Sequence, residues 1–265
     1  MMALVEPFRA SHVLPWFDAP ESSADPHCPA LADCLHPPET WSQMDLLADT
    51  VRYIEENPDR FREALLTHVR LSLYALLAAI AIFVPLGILA ARSRRIGPAA
   101  VGTLAAARVV PSISVLFLLY PYRREIGDLL PFWDRNFVLA LIALILLAGP
   151  PLIINTDAGL RAVAPAVLEN ARGLGMNEAQ VLTRVQFPLA LPVIIAGMRT
   201  AAVEVVASAT LAAFIGAGSL GRFITSGLTL LDYSLLFVGA IPIALMALFV
   251  EITLAGAERL VTPPA

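Results

Sequence analysis

Five stretches of this chain are long and apolar enough to cross a lipid bilayer, and this limits the fold more than any other feature. They cover residues 69–91, 96–120, 137–155, 189–215 and 235–257; a spanning helix needs about 20 mostly apolar residues. Lipid offers the backbone no water to bond, so each run must close its own hydrogen bonds as a helix. Composition agrees: 58% of residues are hydrophobic and 15% charged, far from the roughly 45–50% and about 25% of soluble domains. A soluble core built from these runs is thereby set aside. The expected fold is an all-α membrane protein with about five transmembrane helices.

Ionisable residues inside such runs are costly in lipid and mark a partner or a water-filled path. Arg108 and Pro111 interrupt the second run, Arg199 and Glu204 lie in the fourth, and Glu251 comes near the end of the fifth. Arg199 and Glu204 are five residues apart, off the spacing at which helical neighbours meet. The expectation is an ion pair from Arg108 to Glu204 across the second and fourth runs, with Glu204 beside a translocation path. A carboxylate there suits a cationic amine. The alternative is a structural pair that never meets solute.

Between the third and fourth runs lies a polar island, ENARGLGMNEAQVLTRVQFPLALP, residues 169–192. Pro165 suits the first turn of a helix, where its missing N–H costs nothing. A helix over 166–174 would carry Glu169 near its positive end. Gly175 is placed to end that helix in a left-handed conformation. Asn177 can cap a second short helix, with Gln180 completing a capping box. Two short helices joined at a glycine form a compact knob, able to fit a groove on a partner and pass on a push.

The island resembles the EAA loop of ABC-importer permeases: Glu-Ala-Ala, three residues, Gly, nine residues, Ile, one residue, Leu-Pro. Glu169, Ala171, Gly175 and Pro188 hold their places; Asn170 stands for the first Ala, Val185 for the Ile and Phe187 for the Leu. The similarity extends over about 68–260. Its phrases resemble those of osmoprotectant permeases, the glycine betaine, choline and carnitine type: HVRLS at 68–72, PLGIL at 85–89, Pro111-Ser112, NTDAG at 155–159, GMRT at 197–200, ATLAAFIGAG at 209–218 and GAIP at 239–242. Two stretches depart from the pattern, RVV at 108–110 and YPYRR at 120–124.

The resemblance implies a MetI-like permease fold over 69–260, with a cytoplasmic coupling helix in the loop 161–188. It implies an ATP-driven importer in which Glu169, Ala171, Gly175, Val185 and Pro188 meet the ATPase. Arg108, Pro111, Ser112 and Glu204 would lie along the path. The implied partners are a cytoplasmic ABC ATPase dimer carrying ATP and Mg, a second permease subunit (identical or not), and an extracytoplasmic solute-binding protein holding the aromatic cage for the ammonium. The setting would be a bacterial inner membrane. No GxxxxGK[ST] phosphate loop occurs in this chain, so a transport subunit without its own catalysis or cofactor is expected.

Arginine supplies all 18 basic residues, and they do not orient the chain by number. Arg92, Arg94 and Arg95 crowd a very short loop and favour that side as cytoplasmic. The coupling loop shares that side, which puts the N-terminus outside and the C-terminus inside.

Residues 1–43 read differently. They are acidic and proline-rich, show neither the basic start nor the apolar core of a signal peptide, and are expected to be disordered. The composition break also admits a translation start at Met44. His27, Cys28, Cys34 and His36 could ligate a metal by type, but the spacing is not that of a finger; a Cys28–Cys34 disulfide is the other reading. An amphipathic helix is expected over 44–68, with Leu46, Leu47, Val51 and Ile54 near one face and Pro58 ending it or starting the next.

Competing functions have less support. None of the four histidines falls within an apolar run and Asp157 stands alone, so an intramembrane protease lacks its pair. Gly216, Gly218 and Gly221 spell GxGxxG, but they follow a spanning run rather than a strand. No basic surface suggests nucleic acid. A permease for another small polar solute, or a secondary transporter working without ATP, remains as the alternative; only an importer needs Glu169 and Gly175.

Overall fold

The computed structural model describes residues 43–93 and 96–261, and among these there is no strand. Cys28 and Cys34, with the metal and disulfide readings attached to them, lie outside the described residues, as do Arg94 and Arg95.

Helix α1 spans Gln43–Glu56, and α2 spans Pro58–Arg92 with Pro58 in its first turn. The helix expected over 44–68 is thus two helices that part at Asn57 (φ -129°, ψ 51°), where Pro58, lacking an N–H to bond back, suits the first turn of a new helix. Thr50 is buried, whereas Leu47 and Val51 are about half exposed. The inward face of α1 is therefore shifted from the expected one.

The second apolar run is not a continuous span. It forms α3, Ile96–Ala107, and α4, Ser112–Leu119. Pro111 drives the preceding residue out of helical conformation, and Val109, 83% exposed, has nothing packed on it to resist. Among the described residues four helical runs are each long and apolar enough to cross a membrane, Pro58–Arg92, Arg135–Ala162, Glu178–Ile215 and Tyr233–Val261; the broken run of α3 and α4 carries the chain back between the first two, since Arg161 at the end of Arg135–Ala162 reaches the Ala90 carbonyl at the end of α2. A short helix α5, Arg123–Gly127, precedes the second of these, and α6 is Arg135–Ala162.

Asp134 starts α6 by accepting hydrogen bonds from the Asn136 and Phe137 N–H groups at 2.8 and 3.1 Å, which satisfies two of the orphan donors of a helix start. Pro150 and Pro151 stand inside α6 without breaking it. Both are buried, and neighbouring helices hold the backbone that proline frees. Helix α7, Pro165–Gly173, and α8, Glu178–Val181, form the polar island. Helix α9, Phe187–Ser208, passes into a 3₁₀ segment, Ala209–Ile215; α10 is Gly221–Leu230 and α11 is Tyr233–Val261.

The bundle is built around α6, which lies between α2 and α9; α11 packs on α9 and α10, and α1 lies along α11. Helix α6 buries 67% of its most apolar window, against 22% for α2 and for α11. The outward rows Leu73, Leu77 and Ile82 of α2, and Leu245, Leu248 and Phe249 of α11, are exposed, which suits a lipid surround. Small residues let the inner helices close up. A Cβ on Gly197 of α9 would stand 2.5 Å from the Asn155 Cβ of α6.

His68 is not at the edge of a span but fully buried within α2. Its Nε2 lies 3.1 Å from the Val206 carbonyl of α9, close to where that helix tightens into its 3₁₀ end. The GxGxxG stretch is a turn rather than a nucleotide loop: Gly216 and Gly218 take φ of 77° and 74°.

Candidate functional site

The polar island folds as its turn chemistry dictates. Pro165 opens α7, and Gly175 takes φ 84° just past its end. The Asn177 side chain accepts from the Gln180 N–H at 2.9 Å, and the Gln180 side chain accepts from the Asn177 N–H at 2.9 Å, a complete capping box. Arg172 reaches over the glycine turn and donates to Glu178 at 2.7 Å. The hydrogen bond and charge of Glu178 hold the Arg172 guanidinium above its ordinary pKa, with Glu169 adding to the effect.

The two-helix knob differs from expectation in its second arm. Helix α8 does not end before the fourth span. It continues through a π-helical turn, Leu182–Gln186, straight into α9. Pro188 is the local cause: without an N–H it cannot bond the Arg184 carbonyl, and its ring crowds that group. The Phe187 N–H bonds the Leu182 carbonyl instead, one residue further back than in an α-helix, which is a π-bulge. Motion of the knob thus passes into α9 without a loop between.

Glu169, Gly175 and Pro188 are exposed on the knob, Val185 is half-buried, and Ala171 is buried at 5% exposure. Beside them opens a groove of about 550 Å³ lined by Val163, Leu168, Glu169, Arg172 and Gln186. Ala171 anchors α7 and leaves Glu169 facing out.

The base of the knob is tied down by a residue that the sequence reading passed over. Arg161, in the last turn of α6, pairs with Asp157 at 2.8 Å. The same guanidinium donates to the Ala90 and Ser93 carbonyls at 3.0 and 3.2 Å, at the end of α2. Asp157 four residues before Arg161 is a visible helical pairing signal; the carbonyls are not. Arg199 likewise finds partners out of local reach: Glu251 at 3.3 Å and Glu258 at 3.0 Å, both on α11.

Of the path residues, Arg108 is exposed in the turn between α3 and α4, followed by Pro111 and Ser112. Glu204 is half-buried on α9. The expected Arg108–Glu204 ion pair does not form among the described residues. The separation follows from the broken second run, which leaves Arg108 on a turn rather than on a helix face. Ser112 and Ser208, the latter one turn after Glu204, both line a cavity of about 10 Å³, room for about one water.

The family model for the inner membrane component of binding-protein-dependent transport systems matches residues 83–263. The carnitine transport permease protein OpuCB of Listeria monocytogenes is 37% identical over 81% of this chain and 94% of its own. The choline transport system permease protein OpuBB of Bacillus subtilis is 32% identical over 80% of this chain and 94% of its own. The osmoprotectant import permease protein OsmW of Salmonella typhimurium is 33% identical over 81% and 98%. Among solved structures, an inward-facing form of the MetNI methionine ABC transporter superposes with a TM-score of 0.67 at 17% identity, over 77% of this chain and 97% of that one; it shows the fold alone. With the apolar spans and the knob between the second and third of them, these matches establish that the chain belongs to the family of inner membrane components of binding-protein-dependent transport systems.

Proposed function

We propose that this chain is the permease subunit through which a quaternary-amine osmoprotectant, such as glycine betaine, choline or carnitine, is imported at the expense of ATP. The observation that carries the reading is the knob: an exposed α7 set on Gly175, whose second arm runs unbroken into the helix bearing Glu204. A cytoplasmic ABC ATPase dimer, holding ATP and Mg, grips α7 in the groove beside Glu169. Nucleotide-driven closure moves the knob, and the π-turn passes the displacement to α9. A second permease subunit completes the pore, and an extracytoplasmic solute-binding protein delivers the solute. In this arrangement the N-terminus lies outside and the C-terminus in the cytoplasm of a bacterial cell. The names of the relatives support the solute class, since carnitine, choline and osmoprotectants recur among them.

Affinity purification from native membranes in mild detergent tests the coupling, with a Gly175→Arg variant alongside. An ATPase subunit retained by the parent and lost by the variant is the expected result. Uptake of labelled carnitine by the reconstituted complex tests the solute class. A folded preparation that holds no ATPase would overturn the importer reading in favour of a transporter that works alone.

A further inference from the structure

On the face opposite the coupling knob, at the starts of α2 and α6, a cavity of about 530 Å³ opens beside the 216–218 turn. Glu63, Arg70 and Tyr74 line it from α2, and Trp133, Asp134 and Phe137 from the other wall. Tyr74 and Trp133 stack with centroids 5.2 Å apart and planes 15° from parallel; Phe137 meets Trp133 edge-on at 5.1 Å. Asp134 uses only its Oδ1 to cap α6, so Oδ2 remains for a ligand. Glu63 and Arg70 are exposed and neither makes a hydrogen bond or ion pair with any described residue. Of the charged residues on α2, these two line the cavity and the fold itself pairs neither with a described residue.

We propose that this cavity receives a zwitterionic quaternary ammonium group, with the ammonium against the aromatic cluster and Asp134 and the acid group on Arg70. A cation without N–H donors is held by aromatic faces and carboxylates, whereas guanidinium pairs with carboxylate or phosphate. Arg70 and Tyr74 are one helical turn apart, about 6 Å of rise, a separation that a short zwitterion spans. Glu63, two turns before Arg70, adds negative charge at the rim. The inference rests on the solute class proposed above and places a second, weaker station for it in the permease itself. Carnitine and glycine betaine have this chemistry, and so does the headgroup of a choline phospholipid.

The test uses the full chain assembled with its ATPase in nanodiscs of phosphatidylglycerol and phosphatidylethanolamine, without binding protein, and follows tryptophan emission. Carnitine is expected to produce a saturable change that Trp133→Phe abolishes. Arg70→Gln should lower the carnitine-to-choline affinity ratio about tenfold, because choline has no acid group for the guanidinium to pair with. Tyr74→Leu should weaken both solutes about threefold. A saturable change seen only in phosphatidylcholine nanodiscs, with carnitine silent, would keep the chemistry and assign its source to the bilayer. No saturable change with any of these, in a complex that imports carnitine once binding protein is added, would overturn the cavity and leave the importer standing. A change at Trp133 in a complex that imports no quaternary amine would sink the importer's solute class while the cavity stood.

Discussion

Arg161 and Asp157 form an ion pair at 2.8 Å in the last turns of α6, and the same guanidinium reaches the Ala90 carbonyl of α2 at 3.0 Å. The last carbonyls of a helix lack α-helical partners within it; the Ala90 carbonyl accepts from the Ser93 N–H at 3.0 Å, and Arg161 adds a second donor at the point where α7 departs. A Cβ on Gly97 of α3 would lie 2.6 Å from the Arg161 Nη2. One side chain therefore joins α2, α3 and α6 beneath the knob.

Arg161→Met is expected to cost about 1–3 kcal/mol, because it leaves a largely buried Asp157 without its ion-pair partner and removes one donor from each of two carbonyls. Arg161→Lys should recover only part of that, since one ammonium cannot reproduce the planar fork. Thermal unfolding of the assembled complex measures the first effect. Its ATPase activity with and without binding protein measures the coupling, which should fall in both variants. Parent-like coupling in Arg161→Met would remove this residue from the transmission.

Gly175 has nothing within 4 Å of where a Cβ would stand, but its φ is 84°. A substitution there meets no clash, and its cost of about 1–2 kcal/mol comes from the backbone alone. Asn tolerates this region best among residues with a side chain. Gly175→Asn should hold the ATPase nearly as the parent does, and Gly175→Val should hold it poorly. Equal co-purification with both variants would show that the left-handed turn is dispensable for the grip.

The knob was legible in the sequence because each of its turns is fixed locally. Pro165, Gly175, Asn177 and Gln180 do in the structure what their types and spacing dictate. The continuation of α8 into α9 was not, although Pro188 was in plain view: a π-turn and a clean break both follow from a missing N–H, and the packing of α9 decides between them. The second apolar run shows the same limit. Pro111 breaks it, while Pro150 and Pro151, buried in the middle of α6, do not break theirs. Local sequence is similar in kind at these sites, and the difference is the neighbours. His68 and Arg199 were hidden for a related reason, since Val206 and Glu258 lie 138 and 59 residues away.

Asp232 caps α11. Its Oδ1 accepts from the Ser234 hydroxyl at 2.6 Å and from the Leu235 N–H at 3.1 Å. The Ser234 hydroxyl hydrogen bond holds the Asp232 carboxyl below its ordinary pKa; burial opposes it, and the Leu235 and Ser234 N–H groups add to the lowering. A depressed folded-state pKa contributes stability that is complete above the unfolded value and lost as pH falls through the folded one. Asp232→Asn keeps a capping side chain but does not titrate. The parent's advantage over Asp232→Asn should therefore shrink as pH falls from the ordinary carboxylate range to the lowered one, and melting curves across that window will show it. A constant difference would mean that the charge contributes nothing.

Glu204 and Ser208 are one turn apart on α9 and share a face, and Ser112 of α4 lines the same small cavity as Ser208. If solute passes here, Glu204→Gln should cut uptake of choline about tenfold or more, because the variant removes the charge that a buried cation needs. Folding should survive, since Glu204 has no direct ion pair to lose among the described residues. Uptake at the parent rate would take Glu204 off the path and leave it a structural acid.

Pro188 gives the sharpest test of how the knob works. Proline there removes the donor that would close an α-turn onto Arg184, and the Phe187 N–H bonds Leu182 instead. Pro188→Ala restores the donor and lets the 182–186 turn relax from π to α. Because an α-helix turns about 100° per residue, removing the extra residue of the bulge would swing α8, and α7 with it, by about that angle relative to α9. The ATPase would then meet the wrong face of α7. The expected result is a folded complex, with melting unchanged or higher, that still binds ATPase in part but no longer raises ATP hydrolysis when loaded binding protein is added. Crosslinking between a cysteine placed at Leu174, which is 82% exposed, and the ATPase should move to a different partner position. If Pro188→Ala couples and crosslinks as the parent does, the π-turn follows from proline and has no part in passing the motion on.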